Sequence, residues 1–347
     1  MPLAPPPRLN MRTILPLLLL GAPAAAQEVA HEKFELDNGL TVILHEDHSL
    51  PQVVVNIWYR VGAKDERVGR SGFAHLFEHL MFRGTERAPG SSFDQLMEAG
   101  GGFNNASTNF DRTNYYDDGP AELLPTLLWL EADRMEALGP AITQAKLDSE
   151  REVVRNERRQ SYEDRPYGAA YLAQFPLLYP EGHPYHGPVI GSHAELEAAT
   201  LEDVRGFFAE YYVPNNASLV VAGDFDSAAV RADVTRLFGS IPRGADPPHR
   251  VAAPVVFAED VTTTLADPRA PFAQTNLLWH SPPFFAPGDA ELDLAATILA
   301  DGVSSRLYRA LVADAQLAEE VEAYQSSRAL GSSFVVSALA RPGVALE

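Results

Sequence analysis

His75, Glu78 and His79 stand in the order H-x-x-E-H within the run from Ser71 to Thr85. At ~100° per residue they fall on one side of a helix, while Phe73, Leu76, Phe77, Leu80 and Met81 fall on the other. Histidines at i and i+4 stack one turn apart and can offer two neutral imidazoles to one metal ion. Glu78 lies beside them, placed to take a proton from a metal-bound water rather than to bind the metal. The order inverts the H-E-x-x-H motif of zinc hydrolases. The competing reading is a pair of surface histidines, or of core histidines held by hydrogen bonds, since a five-residue pattern recurs by chance. A third ligand would discriminate, because catalytic zinc takes three protein ligands and keeps one position open.

A third ligand is offered by the run Glu150 to Arg159, where Glu150 and Glu157 are seven residues apart. That spacing returns them to one helix face within about 20° of rotation. Leu147, Val153 and Val154 share the face, whereas Arg151, Glu152, Arg155, Arg158 and Arg159 point elsewhere. Carboxylates inside an apolar stripe are costly to bury unpaired, and a metal with its histidines would satisfy them. The alternative is a pair of half-exposed glutamates bridged to arginines.

These residues resemble the inverted-zincin peptidases of the pitrilysin, insulysin and mitochondrial processing peptidase group. The likeness runs from about Phe34 to the C-terminus. It rests on His75-Leu-Phe-Glu78-His79, on Ala99 to Thr108, on Asp111 to Tyr116, and on Asn156 to Gln160 followed by Arg165 to Gly168. The resemblance implies that His75, His79 and Glu157 ligate one zinc ion, that Glu78 is the general base, and that Glu150 supports the site from outside the ligand set. It places Asn105 and Ala106 at a sheet edge where a substrate strand binds. It implies a zinc endopeptidase acting on peptides or unfolded segments, built from α+β domains in homologous pairs, each a mainly antiparallel sheet with helices on one face. A non-catalytic core subunit of the same fold is a rival, against which the intact zinc motif counts. A periplasmic metal-binding module is another, for which Glu78 would be superfluous.

The wider sequence fits an exported globular protein. Its 347 residues are 46% hydrophobic and 21% charged, enough chain for two domains. A formal charge of −20 argues against nucleic acid and anionic membrane surfaces as partners. Residues 1–26 read as a signal peptide: Arg8 and Arg12, an apolar run from Ile14 to Leu20, then Ala24 to Ala26 before the cleavage point, with Met11 an alternative start. That run is too short to span a membrane comfortably. Cysteine is absent, so no disulfide forms, which suits a periplasm or, less well, the medium.

The elements that must position the site follow in order. Asn38-Gly39 marks a hairpin between Lys33–Leu36 and Thr41–Leu44, and 53–60 is a β-branched strand. Ser92 with Gln95 reads as a capping box opening a short helix that ends at Gly100 to Gly102. The strand 104–109 is too polar for a central position and belongs at an edge, with 112–117 pairing beside it. Helices follow at about 121–138 and 143–163. The loop at His183 and His186 is turn-rich and lacks a carboxylate to complete a second metal site. Thr200 and Asp203 cap a helix running to Tyr212, and 217–223 is a buried strand.

The expected organisation is a catalytic domain over 32–240, a proline-rich linker over 241–254 and a second, incomplete non-catalytic domain over 255–347. Thr275 to His280 resembles Val55 to Tyr59, and the helix at 292–300 takes the place of the His75 helix without a histidine. Family resemblance adds a partner, a second two-domain half in the same chain or a separate subunit, without which peptide hydrolysis should be poor.

Overall fold

The computed structural model describes residues 29–345, so the expected signal peptide, with Met1 and Met11, lies outside the described residues. Two short strands open the fold, β1 (Glu32–Glu35) and β2 (Thr41–Glu46), paired antiparallel across the Asn38-Gly39 turn as expected. Asn38 is buried, and its amide donates to Phe238 O and Ile241 O, pinning the turn to the far end of the first sheet's sequence. β3 (Gln52–Tyr59) alternates: Val53, Val55, Ile57 and Tyr59 are buried while Val54 and Trp58 are exposed. One face of this sheet is thus core and the other meets solvent.

Next come helix α1 (Phe73–Leu80), helix α2 (Ser92–Gly100), strand β4 (Phe103–Thr108) and strand β5 (Thr113–Pro120). The capping box does not form at Ser92. Its hydroxyl donates to Pro89 O at 2.6 Å, which makes Ser92 the first helical residue, and Gln95 donates to Ser91 Oγ instead. Two long helices follow, α3 (Leu124–Ala141) and α4 (Gln144–Arg158), the latter widening into a π-helical turn over Arg159–Glu163. Both sit close to their expected places. Val153 is a correction: it is 40% exposed, while Leu147 and Val154 on the same helix are fully buried.

Helices α5 (Gly168–Leu178), α6 (His193–Glu197) and α7 (Leu201–Tyr211) lead to strand β6 (Ala217–Gly223) and helix α8 (Ser227–Phe238). The Thr200–Asp203 capping box is formed as expected. Strand order in the first sheet is β1-β2-β6-β3-β5-β4, antiparallel except for the parallel β2–β6 pair. β4 is therefore an edge, as its polarity required.

No helix or strand occurs from 242 to 273 among the described residues. The chain resumes with β7 (Gln274–Ser281), helix α9 (Asp289–Ala300), β8 (Ala318–Ser326) and β9 (Ser332–Ala340), the strands forming an antiparallel sheet in the order β7-β9-β8. The architecture is α+β. Among the described residues no helix is long and apolar enough to cross a membrane.

Candidate metal centre

Helix α1 is only eight residues long and cannot hold itself, so its surroundings fix it. Its buried side inserts Phe77 against Tyr212 (4.2 Å between centroids) and Phe208 (5.5 Å). Its start is left-handed Gly72 (φ 85°), where a Cβ would meet Gly191 Cα at 2.9 Å and Ile190 O at 3.0 Å. The free N–H groups there are taken by remote carboxylates: Glu66 accepts from Gly72 N and Ala74 N, and Glu195 from Ser71 N. No local pattern announces Glu66 or Glu195 as caps.

The opposite side of α1 faces α4. His75 Nε2 lies 3.6 Å and His79 Nε2 lies 3.3 Å from the same atom, Glu157 Oε2. One ligand atom from each of these three residues lies within 4.8 Å of the others. Zinc bonds of 2.0–2.2 Å in a tetrahedron separate neighbouring donors by roughly 3.3–3.5 Å. The two imidazoles and one carboxylate therefore fit zinc in chemistry and in spacing. Asn105 and Ala106 are carried on the edge strand β4, and Glu150 approaches His79 at Nδ1 rather than joining the three donors.

Glu150, 2% exposed, turns Oε2 toward His79 Nδ1 at 3.6 Å, and its other oxygen pairs with Arg83. The carboxylate is thus the link between an imidazole nitrogen that faces away from the donor cluster and a guanidinium on the helix's trailing turn. His75 Nδ1 is buried without a hydrogen-bond partner.

The electrostatics divide the two imidazoles. Burial, with His79 beside it, lowers His75 to about 4. Burial also works against a charge on His79, but the carboxylates of Glu150 and Glu157 outweigh it and raise that ring to about 9. Glu157 is held below its usual range, first by its bond to His79.

Glu78 stands apart from the donor group. Burial raises its carboxyl, opposed by the hydroxyl of Thr108, which donates to Oε2, and by His79. Thr108 ends β4, so the edge strand is joined directly to this carboxylate. Thr108, Arg83 and Arg112 were not singled out as site residues by sequence reasoning. The signal for Thr108 was its place at the end of an unusually polar strand.

The β4 register shows what the edge offers. Asn109 N donates to Arg112 O, and β4 pairs Ser107 with Asn114 and Asn105 with Tyr116. By the antiparallel alternation, the backbone groups of Asn104, Ala106 and Thr108 then point away from β5 to the open edge. Ala106 N–H is taken by the Asn105 side chain, with Oδ1 at 2.8 Å. The His183 and His186 rings serve local structure: His183 Nδ1 accepts from Tyr185 N, and His186 Nδ1 lies 2.8 Å from Tyr179 O.

Comparison with known proteins identifies the family. Residues 41–172 match the family described as Insulinase (Peptidase family M16), and residues 198–347 match the one described as Peptidase M16 inactive domain. The zinc protease PqqE of Helicobacter pylori is 31% identical over 98% of this chain and 77% of its own length. The probable zinc protease PqqL of Escherichia coli is 30% identical over 68% of this chain and 26% of its own. A crystal structure of a protease from Helicobacter pylori superposes with a TM-score of 0.81 at 30% identity, covering 91% of this chain and 76% of that one. The first half of the periplasmic protease PqqL from Escherichia coli shares the fold, with a TM-score of 0.73 at 22% identity over 90% of this chain and 68% of that one.

Proposed function

This chain belongs to the M16 (insulinase) peptidase family, and we propose that it is a zinc-dependent endopeptidase whose metal is held by His75, His79 and Glu157. The observation that carries the reading is the convergence of those three donors, with Glu78 on the same helix face but outside the donor group. Zinc bound there supplies Lewis acidity toward a peptide carbonyl and lowers the pKa of water.

The chain's own residues do the rest. Thr108 occupies Glu78 Oε2, which leaves Oε1 to take the proton of the attacking water and deliver it to the departing amine. Glu150 holds His79 by Nδ1 so that Nε2 stays aimed at the donor cluster, and Arg83 offsets the charge of that buried carboxylate. The substrate adds to β4 as a further strand, using the outward backbone groups of Ala106 and its neighbours. Asn105 must give up Ala106 N–H for this, and its freed carboxamide is then available to the peptide.

Organisation and location extend the proposal. Residues 32–240 form the catalytic domain, 241–254 the linker and 255–347 a second, non-catalytic domain, a division supported by the two separate sheets, the last strand of the first being Ala217–Gly223 and the first strand of the second Gln274–Ser281. Export to the periplasm is supported by the leader-like residues 1–26 and by the relative described as a periplasmic protease. That relative is described as having halves, which supports a second two-domain half as partner here.

The test is metal content. Protein stripped by chelator and reloaded should hold one zinc ion per chain, as should Glu78→Gln, whereas His79→Ala and Glu157→Ala should hold none. Full zinc in either ligand variant would overturn the assignment.

A further inference from the structure

The turn that follows the edge strand is gripped by the second sheet. Asp111, three residues beyond Thr108, accepts Ala329 N on Oδ2 at 3.0 Å and Tyr185 Oη–H on Oδ1 at 2.7 Å. Tyr185 Oη accepts Leu330 N at 3.0 Å in turn. Ala329 and Leu330 belong to the turn between β8 and β9. Beside them, the Arg328 guanidinium lies over an aromatic box: 4.3 Å from the Phe110 centroid, 5.7 Å from Phe175 and Tyr185, and 6.0 Å from Tyr179. Phe110, Phe175, Tyr179 and Tyr185 are buried and form a core cluster separate from the main one.

The grip reaches the site through one further residue. Arg112 stacks over Trp58 at 5.0 Å and donates through Nη1 to Ser107 O at 2.7 Å and to Ser107 Oγ at 2.5 Å, so it ties the turn back onto β4. From Arg328 the contacts run through Phe110 and Asp111, then Arg112, then Ser107, and reach Thr108 with its bond to Glu78.

We propose that Arg328, through Asp111 and Tyr185, is a positioning residue by which the second sheet sets the edge strand that receives substrate. Cation–π contact with several desolvated rings, together with three hydrogen bonds, makes the turn and the β8–β9 connection one unit. β4 has a partner on one side only, and this anchor adds to the bonds from Ala63 N to Asn109 O, Lys64 N to Phe110 O and Lys64 Nζ to Asp111 O that hold its end. The inference rests on the peptidase reading for the word substrate; the anchoring itself does not.

The experiment compares wild type, Arg328→Ala and Arg328→Lys, with Tyr185→Phe as a milder cut in the same grip, all zinc-loaded. Amide exchange over residues 103–112 should quicken about tenfold in Arg328→Ala and less in Tyr185→Phe and Arg328→Lys, while β1, β2 and β6 keep wild-type rates. Bound zinc should be unchanged. The KM for an unstructured peptide should rise about fivefold with kcat within twofold. Unchanged exchange at 103–112, or equal quickening across the whole first sheet, would overturn the proposal, as would a fall in kcat at constant KM. Exchange and zinc are read without substrate. A wild-type chain that cleaved nothing would thus count against the peptidase reading, while the exchange pattern still decided the anchor.

Discussion

Replacing Glu150 by Gln isolates the part of the site that binds no metal. The change keeps the shape of a side chain that is 2% exposed and removes only its charge and its strongest acceptor. His79 then loses the carboxylate 3.6 Å from Nδ1, while Arg83, 44% exposed, can turn to water at little cost. Loss of such a partner lowers metal affinity about 10–100-fold, or roughly 1.4–2.7 kcal/mol. At a free zinc concentration 100 times the wild-type Kd, binding stabilises the fold by about 2.7 kcal/mol. A 30-fold weaker site leaves about 0.9 kcal/mol under the same conditions. Urea unfolding with and without zinc should show this smaller increment, with the metal-free variant itself less stable than wild type because His79 and Arg83 lose a shared carboxylate. A competition titration with a chromogenic chelator gives the affinity directly. Equal zinc affinity in wild type and Glu150→Gln would refute the reasoning.

Other expectations follow from the same geometry. Ala106→Pro removes an edge N–H that faces away from β5, so peptide Kd should rise about 2–12-fold with zinc content unchanged; equal affinity would count against strand addition. Substituting both His183 and His186 by Ala should leave zinc at one per chain by elemental analysis. Asp117 is buried beside Glu131, and its carboxyl is pushed well above the ordinary range by burial and then by Glu131, against the pull of Arg134. The folded state therefore holds this proton more tightly than the unfolded chain. The resulting stability is fully present below the unfolded pKa and is lost as pH rises toward the folded one, at up to about 1.4 kcal/mol per pH unit. Asp117→Asn should match wild type near pH 3 and gain on it steadily above pH 4; a difference in urea midpoint that did not change with pH would be the wrong result.

The helical patterns carried most of the site. Spacing alone put His75, Glu78 and His79 on one side of α1 and aligned Glu150 with Glu157 on α4, because a helix face repeats within the local sequence. The polarity of Phe103–Thr108 likewise placed β4 at an edge. Val153 was misplaced by the same periodicity, since a seven-residue repeat cannot tell a buried stripe from its margin. The Ser92 box failed because Pro89 O competes for its hydroxyl. What the sequence could not show were partners set by tertiary approach: Glu66 capping α1, Arg83 facing Glu150, and Arg328 reaching across more than 200 residues to Phe110. Each is an ordinary charged residue in its own neighbourhood, and only the fold gives it a role.

The central claim is that Glu78 moves the proton while His75, His79 and Glu157 hold the zinc. Turnover of an unstructured peptide per bound zinc, in wild type and in Glu78→Gln at equal metal content, tests it most directly. The expected result is chelator-sensitive cleavage by wild type and a loss of about 10²–10⁴-fold in the variant, the usual worth of a positioned general base. Wild-type turnover per zinc in Glu78→Gln would contradict the assignment.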